Sequence, residues 1–251
     1  MKKIITLITI LSFTIVQAQK IAEPNLMVEY TFYDNFRHSE HLSTLVMNHN
    51  ESIYFSKTAD DNTSNAELKG NNLFIGGKRL DTYSYTNKSD KKIISYESLN
   101  SKPYAISEKI PQLNWDFSHN ETKKINDYNC NKATVDFRGR FYIVWYTKEI
   151  PSFFGPWKFS GLPGLILEIK DSTNTYQWIA SKIKNKNIAN IEIPFKDTKE
   201  VTLVEFVELK NQHIEQLRAK VRSKFPKGTQ FSTSKNSRQG LEKTYEWEDE
   251  Q

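Results

Sequence analysis

Four sets of residues in this chain have the types and spacing that chemistry or recognition uses. The one cysteine, Cys130, has Lys132 two residues on, on the same face of a strand, and His119 upstream. A thiolate nucleophile needs such a cation or base to lower its pKa. A lone cysteine in a strand is also a small hydrophobe that is commonly buried, and that is the reading adopted. His38-Ser39-Glu40-His41 sets two histidines three apart, with Asp34 close by. Zinc needs three or four rigidly held ligands, so two histidines in a polar loop read as solvated side chains. No metal or cofactor is expected.

Glu149 and Glu168 bracket the most constrained stretch of the chain. A carboxylate buried without a partner has a raised pKa and can act as a general acid, so this pair is the candidate for a hydrolase-like reaction. Two ordinary readings stand beside it. The carboxylates can pair with Arg138, Arg140 or Lys158, and alternation puts Glu168 on the outer face with Leu167 and Ile169 inward. The fourth set is aromatic: Tyr142, Trp145, Tyr146, Phe153, Trp157 and Trp178. On a concave sheet such rings stack on peptides, sugars or lipids at little entropy cost. Their ordinary reading is core beneath a helix.

These residues are positioned by the stretch from Pro151 to Ile169, which holds three of the nine glycines and three of the eight prolines. Gly155-Pro156-Trp157 and Gly161-Leu162-Pro163-Gly164 prescribe the backbone, and Leu165 to Ile169 reads as a buried strand. The stretch has no nucleophile, no histidine and no Lys-Ser/Thr ending of a phosphate loop, so it reads as a fold determinant.

Around it the pattern is of short strands. Val28, Tyr30 and Phe32 alternate with polar residues, and Asp34 to Glu40 is a loop. Leu42–Asn48 and Ser52–Ser56 flank a turn at His49-Asn50-Glu51, and Lys57–Lys69 reads as a mobile loop. A hairpin is expected at Gly76-Gly77, then strands over Asp81–Lys88, Lys91–Leu99 and Pro103–Glu108. Cys130–Phe137 and Arg140–Thr147 form a hairpin around Arg138-Gly139, the second arm apolar on both faces and so expected to be covered on both. After a turn at Asp171–Thr175, Tyr176–Ile183 returns as a strand. The period then lengthens: Val201 to Phe225 reads as one amphipathic helix, capped by Asp197 or Thr198 and serving as the sheet's cover. The polar tail from Thr229 to Gln251 is expected to fray.

Composition bounds the class. Met1-Lys2-Lys3, an apolar run from Ile4 to Val16 and Ala18 spell a signal peptide over residues 1–18, with no cysteine after the cut for a lipid anchor. The protein is therefore expected to be exported, periplasmic or extracellular, with no transmembrane span. Without Lys2 and Lys3 the formal charge of +5 becomes +3, and its lysines are interspersed with glutamates, which argues against a nucleic-acid partner. One cysteine excludes a disulfide scaffold, so the core carries stability.

Gly161-Leu162-Pro163-Gly164-Leu165-Ile166 spells the signature of the GLPGLI family, and the chain resembles that family further. Ile125, Tyr128 to Ala133, Phe137 to Arg140, Trp145 to Pro151 and Gly155 to Phe159 carry the same resemblance, strongest from Trp115 to Ile169. It implies an exported β-rich protein of Gram-negative bacteria and no settled reaction. A weaker similarity, to the bowl-shaped N-terminal domain of a type of peptide N-glycosidase, implies a bowl-like sheet and no catalytic residues. The expected fold is mainly β: a curved or half-closed antiparallel sheet, a bowl or partial barrel, covered by one C-terminal helix. It occupies a single domain over residues 19–228. The expected role is non-enzymatic binding or assembly at the cell envelope, its partner an envelope protein, peptide, glycan or lipid. The hydrolase reading through Glu149 and Glu168 stands as the alternative.

Overall fold

The computed structural model describes residues 25–56, 66–69, 72–75, 82–186, 198–226, 229, 238 and 240–248. The signal segment 1–18, Gly76-Gly77 and Asp197 lie outside them. The first half of the chain contributes β1 (Asn25–Asp34), β2 (Ser39–Met47), β3 (Glu51–Ser56), β4 (Ala66–Lys69), β5 (Asn72–Ile75), β6 (Thr82–Asn87), β7 (Lys92–Leu99) and β8 (Lys102–Lys109). Then come β9 (Thr122–Ile125), β10 (Tyr128–Phe137), β11 (Arg140–Thr147), β12 (Leu165–Asp171), β13 (Tyr176–Lys186), β14 (Lys199–Thr202) and the helix α1 (Leu203–Arg222).

Among the described residues, twelve strands form one open sheet in the order β14-β8-β7-β6-β3-β2-β1-β13-β12-β11-β10-β9, with β4 and β5 paired separately. The sheet is antiparallel except where β14 runs parallel to β8. Alternation works as read: Val28 and Tyr30 on β1, and Tyr142, Val144 and Tyr146 on β11, point into one core. The Arg138-Gly139 turn has φ of +47° and +78°, the left-handed pair that matches the twist of a tight hairpin. β11 is covered less evenly than its apolar faces suggest, for Phe141 on its outer face is 40% exposed.

The sheet is curled. Glu108 on β8 lies near one end of the strand order and Arg138, after β10, near the other, yet their side chains meet at 2.7 Å. A bulge at Trp145/Tyr146, and β12–β13 pairing confined to Glu168–Lys170, add bend where the curl is needed. The concave side is filled by residues 150–164, whose Phe154, Trp157, Phe159 and Leu162 are buried against Tyr142, Tyr176 and Trp178. Each such side chain contributes about 1.5–3 kcal/mol.

Three expectations are corrected. β14 occupies the start of the segment read as helix, and α1 begins at Leu203 with Thr202, not Thr198, as its cap. The Thr202 hydroxyl accepts from Glu205 N while the Glu205 carboxylate accepts from Thr202 N, a capping box. The helix stops at Arg222 and packs on β8 and β14 through Leu203, Phe206 and Val207. β4 and β5 pair across part of the stretch read as mobile loop. The tail read as frayed is docked from Gly240 to Glu248: Tyr245 is buried beside Ile106 and Phe206, and Lys243 N donates to Arg138 O at 2.9 Å.

Candidate functional site

The constrained stretch folds as a small hairpin turned into the bowl. Phe154 pairs with Ser160, Gly155 N donates to Phe159 O, and Gly161 N donates to Phe153 O at 2.8 Å. Trp157 sits at its tip with φ +56° and lies parallel to Trp178, ring centroids 6.3 Å apart. Trp115 Nε1 donates to Ser160 O at 3.0 Å from outside. Gly161 has φ +88°, whereas Gly164 is needed for a different reason. A Cβ on Gly164 would lie 2.0 Å from the Thr147 carbonyl oxygen, so the glycine lets β12 start flush against the end of β11.

Behind the tip lies a buried charge cluster joining both ends of the sheet and the C-terminal segment. Arg138 contacts Glu108, Glu242 and the exposed Glu246, and Lys158 contacts Glu108 and, at 2.8 Å, Glu242. Arg138, Lys158 and Glu108 are each no more than 5% exposed at the side chain. Burial pushes the Glu242 carboxyl up, but Lys158 and Arg138 outweigh it and hold the group at about 2. Burial likewise opposes the charge on Lys158, yet Glu242 and Glu108 raise its pKa. Arg140 and Asp171 form a second buried pair at 2.8 Å. These cations are thus taken by Glu108, Glu242 and Asp171 rather than by Glu149 or Glu168.

The candidate residues are separated by this arrangement. Tyr142, Tyr146, Trp157 and Trp178 are core, and the inserted hairpin occupies the concave face they were expected to offer a ligand. Trp178 Nε1 donates to Tyr54 Oη at 2.9 Å, and burial pushes that phenol up to about 12. Trp145 is half-buried on the outer face beneath Lys123. Of the carboxylates, Glu149 accepts from Asn129 N at 2.8 Å and Glu168 pairs with Lys123 at 2.5 Å. Cys130 is buried, its thiol pKa raised by desolvation, and Lys132 pairs with Glu121 instead. Near His38 and His41, read as solvated side chains, Asp34 is held by Arg37 and His41 Nε2 bonds Ser39 Oγ. Among the described residues no three His, Cys, Asp or Glu side chains are grouped to share a metal ion.

Of the six, Phe153 lines an open cleft. Where the hairpin leaves the bowl, its flanks Pro151–Phe153 and Leu162–Pro163 form one wall of an open cleft of about 480 Å³. Leu26 and Met47 form its floor, and Asn48, His49 and Lys88 the opposite rim. The Lys88 ammonium lies 4.9 Å from the Phe153 ring centroid. Asn48, His49 and Lys88 also border a polar shelf with Asn50, Glu51, Ser89 and Lys91.

The rim is built from two turns tied together. Asn48 Oδ1 accepts from Asn50 N and Glu51 N, Lys88 N donates to Asn50 O, and Ser89 bonds Asn50 Oδ1. Ser152 is locked in its own turn, accepting from Phe154 N and donating to Phe154 O, so it is no free nucleophile. The arrangement offers an apolar wall and a cationic rim, which suits binding. Glu149 and Glu168 do not line the cleft. The rim residues were missed by sequence reading: Asn48-His49-Asn50 and Asn87–Lys91 are plain turn compositions, and nothing in either says that the two turns meet.

Comparison with known proteins agrees with this architecture. Residues 138–168 match a family model described as a protein of unknown function (Porph_ging). No curated protein matches the chain. Two solved structures of PNGF-II, in P21 and C2 space groups, superpose with TM-scores of 0.55 and 0.54 at 15% and 14% identity. They cover 74% and 76% of this chain, which spans about a third of PNGF-II (32% and 33%). The matched residues 138–168 include the signature hairpin, and the sheet that holds it is similar in fold to part of PNGF-II.

Proposed function

We propose that this protein is an exported, non-enzymatic binding or assembly module of the cell envelope, and that its partner docks at the cleft beside the signature hairpin. One observation carries the reading. The signature turns its aromatic tip inward as a plug and leaves its flanks, Pro151–Phe153 and Leu162–Pro163, as the wall of an open cleft. Export rests on the basic start, apolar run and Ala18 of residues 1–18. The non-enzymatic role is supported by Glu149 and Glu168 being bonded to separate neighbours and absent from the cleft wall. At 15% identity the likeness to PNGF-II speaks for fold, and no activity of that protein is extended to this chain.

The test is recovery from envelope fractions of wild type and of Phe153→Ala, which removes a half-buried ring at the cleft and leaves the inserted tip intact. A reproducible partner kept by wild type and lost by a folded Phe153→Ala supports the proposal. Equal recovery by both, or no partner, overturns it. Retention of residues 1–18 on the protein isolated from cells would overturn export.

A further inference from the structure

We infer that the cleft takes an acidic peptide segment, one in which a carboxylate side chain neighbours an apolar one. The inference rests on the cleft being the binding surface and adds the chemistry of what enters it. Two exposed cations stand beside the opening without an acidic partner among the described residues: Lys88 on the rim of the cleft and Lys91 on the adjoining polar shelf. Elsewhere lysines near carboxylates are paired, as Lys92 is with Glu200 and Lys123 with Glu168. Of the nearby acids, the exposed Asp90 between the two lysines forms an ion pair with neither, and Glu51 on the shelf is occupied. Glu51 accepts from Tyr85 Oη at 2.6 Å and Asn87 Nδ2 at 3.4 Å, and burial followed by that Glu51 contact pushes the Tyr85 phenol up to about 12.

The two lysines are held in place from the backbone. Lys88 N bonds Asn50 O, Lys91 N bonds Lys88 O, and Lys91 has φ +53°, which pins the turn. Ammonium groups are compact point charges that can meet a carboxylate without fixed bidentate geometry. The facing wall of Pro151, Phe153 and Pro163 is apolar and rigid, so a side chain buried there loses water at small entropic cost. A wall for an apolar group and unpaired cations beside the opening together select a peptide carrying both. Lys88 already lies over the Phe153 ring, which holds the ammonium at the boundary between the two surfaces.

Fluorescence anisotropy with a labelled peptide alternating leucine and glutamate tests this, against the same peptide with glutamine in place of glutamate. The acidic peptide should bind about tenfold more tightly at low salt, the preference shrinking at ~0.5 M salt as screening sets in. Lys88→Ala and Lys91→Asn, the latter a residue tolerant of positive φ, should each weaken the acidic peptide about fivefold. Both should leave the glutamine peptide unchanged. Equal affinity for the two peptides, no binding of either, or an unaltered acidic-peptide affinity in the double variant overturns the inference. If Phe153→Ala still abolishes recovery of an envelope partner while the two peptides bind alike, the cleft stands as the binding surface and its acidic preference falls.

Discussion

Glu242 is the residue whose removal tests the architecture most directly, because it ties the C-terminal segment to both ends of the curled sheet. In Glu242→Gln, Arg138 and Lys158 remain buried with Glu108 and the exposed Glu246 as their acids. Breaking a buried ion network from one side costs on the order of 3–5 kcal/mol. The carboxyl itself gives a second measure. It sits at about 2 in the folded protein, because Lys158 and Arg138 overcome the burial that would raise it. Against an unfolded carboxyl near ~4.3, that corresponds to about 3 kcal/mol. A folded-state pKa below the unfolded one means the stabilisation is complete above ~4.3 and is lost as pH falls toward ~2. Urea unfolding of wild type and Glu242→Gln at neutral pH and at several acid values reads both. The variant should be less stable by about 3 kcal/mol at neutral pH, and the gap should close as the pH approaches ~2. Asp116, Glu121, Glu205 and Glu248, also depressed by hydrogen bonds, remain in both proteins and cancel in the difference. A variant within ~0.5 kcal/mol of wild type at neutral pH, or a gap that does not change with pH, would refute the reasoning.

Gly164→Ala should cost more than Gly161→Ala, although Gly161 is the one at positive φ. The first drives a Cβ to 2.0 Å from the Thr147 carbonyl oxygen and should cost at least ~3 kcal/mol, while the second meets only Trp115 Nε1 at 3.7 Å, an ordinary contact, and pays ~1 kcal/mol of backbone strain; thermal melts that rank them the other way would sink the close-approach argument. Cys130 should react with a thiol reagent at a rate that follows unfolding, because burial both shields the sulfur and raises its pKa, and rapid modification of the native protein would contradict its placement.

What could be read from the chain was whatever local patterning encodes. Period-two alternation in Val28-Glu29-Tyr30, and the Arg138-Gly139 turn between two apolar arms, identified strands and a hairpin. The density of glycine and proline from Pro151 to Gly164 marked a fold determinant. The difference at α1 is local too: Thr202-Leu203-Val204-Glu205 carries a cap signal, but Val201 continues the apolar period and places the expected start too early. The difference at the tail is of another kind. Nothing near Glu242 announces that it is anchored, because the cations that hold it, Arg138 and Lys158, lie 104 and 84 residues away, and the Ile106 that buries Tyr245 is more distant still in the chain.

The same division holds for the site. By itself the sequence determined a β-rich chain with a prescribed central turn, a late amphipathic helix and a set of aromatic side chains whose choice between ligand face and core stayed open. Hydrophobic period and backbone chemistry are properties of neighbours in the chain. Only the tertiary structure decided that the aromatic face is filled from within by the signature hairpin, and that Glu149 and Glu168 bond apart. It also decided that Lys88 and Phe153, brought together from two distant turns, border the open cleft. Those outcomes depend on which strands pair and how far the sheet curls, and long-range pairing leaves no mark on the residues beside it.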